Sequence, residues 1–182
     1  MSRSIIIRHS KTEKEWFTLS YTDLLKLLNG EYDIGVDEDY LGSHFDPAML
    51  SDLKIEKVYS SPAKRAKQTA KIIADSLGVG TGVAGWLSEI KFEMLPREVY
   101  ERGKEAMREF LLEESKKAAV DIDGKMLVEN AIFVSHGFVM RRFFEKLYGT
   151  QIDELKSDGR FTNYLTGFET GSGSLVSCLK QD

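Results

Sequence analysis

Apolar positions recur in two rhythms along this chain, and the two rhythms take turns. Ile5-Ile6-Ile7 is a β-branched run that predicts a buried strand, stopped abruptly by Arg8-His9-Ser10. Ile55-Glu56-Lys57-Val58-Tyr59 alternates apolar with polar, as a short strand does. Ala131-Ile132-Phe133-Val134-Ser135 predicts another buried strand, ending at His136-Gly137, and Ser174 to Leu179 a closing one after Gly171-Ser172-Gly173. Between them the period changes to that of a helix. Tyr21 to Leu28 has an apolar side, with Ser20 or Thr22 as cap and Asn29-Gly30 as stop. Ala63 to Leu77 carries the stripe Ala66, Ala70, Ile73, Ala74 and Leu77, with Ser61 as predicted N-cap, Pro62 at the first helical position and Gly78 at the end. A short helix is predicted over Pro47 to Leu53, a long charged one over Arg97 to Ala118, and another over Phe138 to Tyr148. Strands alternating with helices predict an α/β domain: a three-layer α/β/α sandwich around a mostly parallel sheet.

Two stretches look like known motifs and fail on context. Gly80-Thr81-Gly82-Val83-Ala84-Gly85 fits G-x-G-x-x-G, but it follows a helix, where a dinucleotide fingerprint follows a strand and opens a helix. It reads as a loop and a short strand. Asp121-Ile122-Asp123-Gly124 lacks the remaining ligands of a calcium loop and reads as a tight turn. The acidic stretch Glu31 to Asp46 matches no calcium-loop spacing either, and reads as a solvated loop with His44 at its surface.

The 182 residues suit one domain, 1–182, with a sizeable core. A net charge of −4 gives no general attraction to nucleic acid or an anionic membrane, so an anion site must be local. The single cysteine, Cys178, excludes an internal disulfide and a cysteine-rich metal site. No apolar run approaches the roughly 18 residues of a membrane helix, and no signal sequence is evident. A cytoplasmic location is the simplest expectation.

Three predicted strands give way to a cationic or imidazole side chain: Arg8-His9 after the first, Arg65 after the second, and His136 after the third. In a mostly parallel sheet those ends share one edge, where open α/β folds place their ligands. Arg65 lies near the start of its helix, and side chains there lean back toward that edge. The N–H groups after Gly137 open another helix and favour an anion. Two arginines, two histidines and a helix start make a site for a dianion with several oxygens, most simply a phosphoryl group. The chain has three histidines, and two fall there.

Arg8-His9-Ser10 after one apolar strand, Ser60-Ser61-Pro62-Ala63-Lys64-Arg65-Ala66-Lys67-Gln68-Thr69-Ala70, and Val134-Ser135-His136-Gly137 after another, in this order, resemble the histidine phosphatase superfamily with its phosphoglycerate mutase-like fold. The middle string is the most specific of the three. The resemblance implies a phosphatase in which His9 is the nucleophile that accepts the phosphoryl group. It implies that Arg8, Arg65 and His136 bind the phosphoryl oxygens and stabilise charge, with no metal or other cofactor. Leu87-Ser88-Glu89-Ile90 matches the context of the family's general acid, which implies that role for Glu89, with Glu93 in reserve. The expected substrate is a small phosphate ester or a phosphoprotein.

There are departures from the family pattern. Ser10 follows the nucleophile where many relatives have Gly, and Glu15 stands where mutase-like members have Asn. Residues 31–46 and 86–96 match no substrate-specific subgroup and are expected to roof the pocket. A phosphoglycerate-type mutase and a non-catalytic phosphate- or phosphoprotein-binding module on the same fold are the competing readings. Trp16, Phe17, Tyr40 and Phe45 are candidates for either the roof or a small core cluster.

Overall fold

The computed structural model describes residues 4–149, 164–171 and 173–180. Six strands form one sheet: β1 (Ile5–Arg8), β2 (Lys57–Ser60), β3 (Gly80–Val83), β4 (Ala131–Ser135), β5 (Thr166–Glu169) and β6 (Leu175–Ser177). Their order is β3-β2-β4-β1-β5-β6. The first four in that order pair in parallel, β5 runs antiparallel to β1, and β6 antiparallel to β5. The helices are α1 (Tyr21–Asn29), α2 (Glu38–His44), α3 (Lys64–Leu77), α4 (Arg97–Glu101), α5 (Lys104–Lys116), α6 (Lys125–Val128) and α7 (Gly137–Tyr148). The expected α/β architecture with a mostly parallel sheet is what the chain builds.

The pleat explains why the central strands are apolar throughout. Ile5 and Ile7 pack with Val58, Ile132, Val134 and the α3 stripe of Ala66, Ala70 and Ile73 on one face. Ile6 turns to the other face, beside Phe133, Phe168 and the α7 residues Val139, Met140 and Phe143. Parallel pairing of β1 with β4 sets Ile6 beside Phe133 and Arg8 beside Ser135. A third cluster, Leu19, Leu24, Ile34, Leu95 and Met107, joins α1 to α5. β5 approaches β1 closely at Gly167, where a Cβ would lie 1.8 Å from the Ile6 carbonyl oxygen.

Four local expectations change. The helix foreseen from Arg97 to Ala118 is broken into α4 and α5 at Gly103, whose φ of 92° and ψ of −172° suit glycine alone. The stretch Glu31 to Asp46 is not all loop: Asp37 accepts from the Tyr40 backbone N–H and starts α2. Pro47–Leu50 forms a short 3₁₀ turn in place of the helix foreseen to Leu53. α3 begins at Lys64 with Ala63 at its N-cap, so Ser61 and Pro62 precede the cap. The Ser61 hydroxyl is used elsewhere, as described below.

Candidate active site

His9 and His136 stand one residue beyond the paired ends of β1 and β4. The His9 backbone N–H donates to the Ser135 carbonyl at 3.0 Å, which extends the β1–β4 ladder to the histidine itself. The Ser10 N–H donates to the Thr69 hydroxyl on α3 at 3.0 Å and fixes the turn that follows. The two imidazoles meet edge to face, with ring centroids 5.2 Å apart. His9 Nδ1 lies 2.7 Å from the Ser10 carbonyl oxygen. A carbonyl only accepts, so Nδ1 carries the proton of the neutral ring and Nε2 keeps its lone pair. Burial, then Arg65 and Arg8, holds the His9 pKa well below its ordinary value, while the bond to Ser10 pulls the other way. His9 is therefore neutral and basic at Nε2 near pH 7.

His136 is fully buried and is likewise held well below the ordinary pKa, by burial first and then by Arg65, His9 and Arg8. Its Nε2 is 2.7 Å from the Ser61 hydroxyl, which also accepts from the Ala63 N–H. Ser61 orients the second histidine, and that is why it is unavailable as a helix cap. His136 Nδ1 is 3.2 Å from Glu89 Oε2. The contact lacks hydrogen-bond alignment, and Nδ1 has no hydrogen-bond partner among the described residues.

Arg65 occupies the second position of α3 and reaches the same edge, as its place in the sequence implied. Its Nη1 lies 2.8 Å from Asp33 Oδ1 and its Nη2 3.6 Å from Glu89 Oε2. Asp33 also accepts from the backbone N–H of Lys64 and so caps α3 from a distant loop. The other polar residues of the middle string have structural tasks. Gln68 accepts from the Val36 N–H, and Thr69 holds Ser10. Arg8 has its guanidinium carbon 4.6 Å from the centre of the Tyr164 ring. The Tyr164 hydroxyl donates to Glu15 at 3.2 Å.

Glu89 is carried by the segment after β3. That segment is tied down where the Ser135 hydroxyl donates to the Leu87 carbonyl at 3.0 Å. Burial raises the Glu89 pKa above its ordinary value, against the lowering pull of Arg65. A carboxyl whose pKa is raised is suited to acid work. Glu93 is exposed and does not line the cavity.

These groups open onto one cavity of about 400 Å³. Arg8, His9, Arg65, Glu89 and Gly137 line it; His136 does not, and lies buried behind Glu89, which it touches. The walls differ from the expected roof. Of residues 31–46 only Ile34 lines the cavity, and of residues 86–96 only Glu89 and Phe92. Trp86 packs into the core against Phe133 and Phe143, and Phe45 is also core. The remaining wall comes from Trp16 and Phe17, from α1, and from Lys104 and Arg108 on α5. Sequence reasoning missed Asp33, Tyr164, Arg108 and Arg141. The last has a legible signal, being a charged residue on the otherwise apolar, buried face of α7. Among the described residues, no group of three or more His, Cys, Asp or Glu side chains comes together as a metal site, and no helix is long and apolar enough to cross a membrane.

Solved structures share this arrangement of strands and helices. Phosphoserine phosphatase from Entamoeba histolytica in complex with 3-phosphoglyceric acid superposes with a TM-score of 0.55 at 20% identity, over 100% of this chain and 98% of that one. Mycobacterial glucosyl-3-phosphoglycerate phosphatase with inorganic phosphate gives 0.53 at 13% identity, over 93% and 89%. YhfR of Bacillus stearothermophilus gives 0.50 at 15% identity, over 100% and 98%. At these identities the likeness is one of fold, the phosphoglycerate mutase-like fold. No curated protein matches the chain by sequence. The family model of the histidine phosphatase superfamily, branch 1, matches residues 5–173, and the chain belongs to that superfamily.

Proposed function

We propose that the protein is a metal-independent phosphatase that hydrolyses a phosphate monoester through a phosphohistidine on His9. The observation that carries this reading is the state of His9: its Nδ1 is committed to the Ser10 carbonyl, its pKa is depressed, and Arg8 and Arg65 line the same cavity. A neutral imidazole with a fixed tautomer is a competent nucleophile, and histidine attack splits hydrolysis into two displacements.

In the first displacement His9 Nε2 forms a bond to phosphorus as the bond to the ester oxygen breaks. Glu89 gives its proton to that departing oxygen. In the second, a water attacks phosphorus, Glu89 takes the water's proton, and the P–N bond breaks to release inorganic phosphate and neutral His9. Arg8, Arg65 and His136 hold the three non-bridging oxygens throughout. Phosphoryl transfer asks a protein chiefly for position and positive charge, which two arginines supply.

A cavity of about 400 Å³ supports a small ester over a folded phosphoprotein surface. The neighbours named for phosphoserine and for glucosyl-3-phosphoglycerate point the same way. The test is turnover of an aryl phosphate between about pH 4.5 and 8, a window that runs from near the ordinary Glu pKa to above that of His, with a chelator present. Wild type is expected to release inorganic phosphate and to form an acid-labile phosphoenzyme, and His9→Ala to do neither. Undiminished turnover in His9→Ala overturns the reading. Transfer of the phosphoryl group to a second position of the substrate, without release, replaces it with the mutase reading.

A further inference from the structure

Among the described residues, Arg141 is a buried cation without a counter-ion. It lies on α7, five residues after His136, with 4% of its surface exposed, and it lines the same cavity as His9. Among the described residues no hydrogen bond or ion pair engages it. The charges acting on it are those of Arg108 and Arg8, both positive. With burial they bring its pKa down to about 10, which still leaves it charged at neutral pH.

The rest of the cavity does not compensate. The two carboxylates on its wall are Glu15 and Glu89. The first accepts from Tyr164, and the second sits by Arg65 and His136. Lys104 rests its ammonium 4.2 Å from the centre of the Phe17 ring, and the carboxylate nearest Arg108, Glu105, is 4.0 Å away on the exposed side of α5. A phosphoryl dianion held by Arg8 and Arg65 leaves Arg141 unmatched, and beside it Arg108 with one long pair to Glu105 and Lys104 with no carboxylate at all among the described residues. Burying an unpaired charge is costly, and a ligand that supplies the missing anion recovers that cost. A guanidinium offers a planar fork that fits a carboxylate or a phosphate through two parallel hydrogen bonds.

We infer that the cavity contains a second anion subsite, formed by Arg141 with Arg108 and Lys104, which takes a carboxylate or second phosphate carried by the leaving group of a small phosphate ester. This rests on the phosphatase reading for the first subsite and adds the substrate class: a phosphate monoester that bears a second acid group. The apolar wall of Trp16, Phe17, Phe92 and Phe138 takes the carbon skeleton between the two anions. Esters of neutral alcohols lack the second contact and are the poorer ligands.

Non-hydrolysable probes separate the subsites. Calorimetric titration compares phenylphosphonate, 4-carboxyphenylphosphonate and 1,4-phenylenediphosphonate on wild type, Arg141→Met and Arg108→Gln. The second acid group is expected to tighten binding to wild type about tenfold, as a charge-assisted pair does. Whichever of the two larger probes gains more identifies the second group as carboxylate or phosphate. Arg141→Met is expected to remove most of the gain and Arg108→Gln part of it, with melting curves recorded for both. Arg108 is half-buried on α5, so its variant reports on the subsite even if Arg141→Met does not fold. Equal affinity of wild type for all three probes overturns the second subsite, and a full gain kept in both variants does the same. No binding of phenylphosphonate overturns the phosphoryl site itself, and with it the inference that rests on it.

Discussion

Asp33 couples the loop after α1 to the start of α3: one carboxylate oxygen lies 2.8 Å from Arg65 Nη1, and the other accepts from the Lys64 N–H. The same side chain therefore aims Arg65, a proposed phosphate ligand, and caps the helix that carries it. Asp33→Ala is expected to cost about 1 kcal/mol of stability, as loss of a cap does, and to lower kcat/KM about tenfold through a looser Arg65. Asp33→Asn keeps one oxygen acceptor, so it should recover the helix cap or the Arg65 contact but not both. Denaturant melts beside steady-state kinetics check this, and equal damage from the two substitutions would show that charge, not positioning, is what matters.

In the proposed mechanism Glu89 and His9 set opposite limbs of the pH profile, since it needs His9 neutral and Glu89 protonated. The His9 pKa lies well below 6.5, so activity falls on the acid side only as pH drops through that low value. The Glu89 pKa lies above 4.5, so activity falls again as pH rises through it. Glu89→Gln is expected to lower kcat/KM for an alkyl phosphate by roughly 10²–10⁴-fold and to erase the alkaline limb. With 4-nitrophenyl phosphate, whose leaving oxygen needs no proton, the loss in kcat/KM should be much smaller. An unchanged alkaline limb in Glu89→Gln would remove it as the acid.

Gly103 separates α4 from α5 in a backbone conformation that other residues avoid. Gly103→Ala meets no atom within 4 Å, so its effect is conformational strain alone. A loss of about 1–3 kcal/mol is expected in chemical denaturation. Because Lys104 and Arg108 follow directly, the same variant should weaken binding at the mouth of the cavity more than turnover.

Cys178 is fully buried, and burial pushes its thiol up to about 12. Thiol reagents act on the thiolate, so the folded protein should resist a disulfide reagent near pH 8 and react on unfolding. Spectrophotometric thiol counts with and without denaturant measure this.

The sheet edge that carries the site was legible because β1 and β4 announce themselves and stop at a charged or imidazole residue. Ile5–Ile7 and Ala131–Ser135 are apolar on both faces, and Arg8, His9 and His136 follow at once. β5 was not legible. Thr166-Gly167-Phe168-Glu169 has little apolar content, and its glycine is there for the close approach to Ile6. The break at Gly103 was hidden because one glycine inside a charged, helix-favouring stretch is locally tolerable, and only the packing of α5 under α1 decides the φ. Ser61 looked like a cap because Ser before Pro usually is one. Its bond to His136 spans 75 positions and leaves no local trace. Asp33 and Tyr164 escaped for the same reason, since their partners Arg65 and Arg8 are distant in sequence.

β1 lies inside the sheet, yet both of its neighbours come from far along the chain: Ile5 pairs with Ile132 on one side and Glu169 on the other. During synthesis the first strand therefore has no edge to join until well over a hundred residues have followed it. Its three isoleucines wait without cover, and His9 next to them waits without the second histidine. Such long closures fold slowly and leave a sticky segment exposed in the interval. The centre of the finished molecule is thus a late event in its assembly, and a nascent chain that has not yet delivered β4 has Arg8 and Arg65 in its sequence but not the site they line.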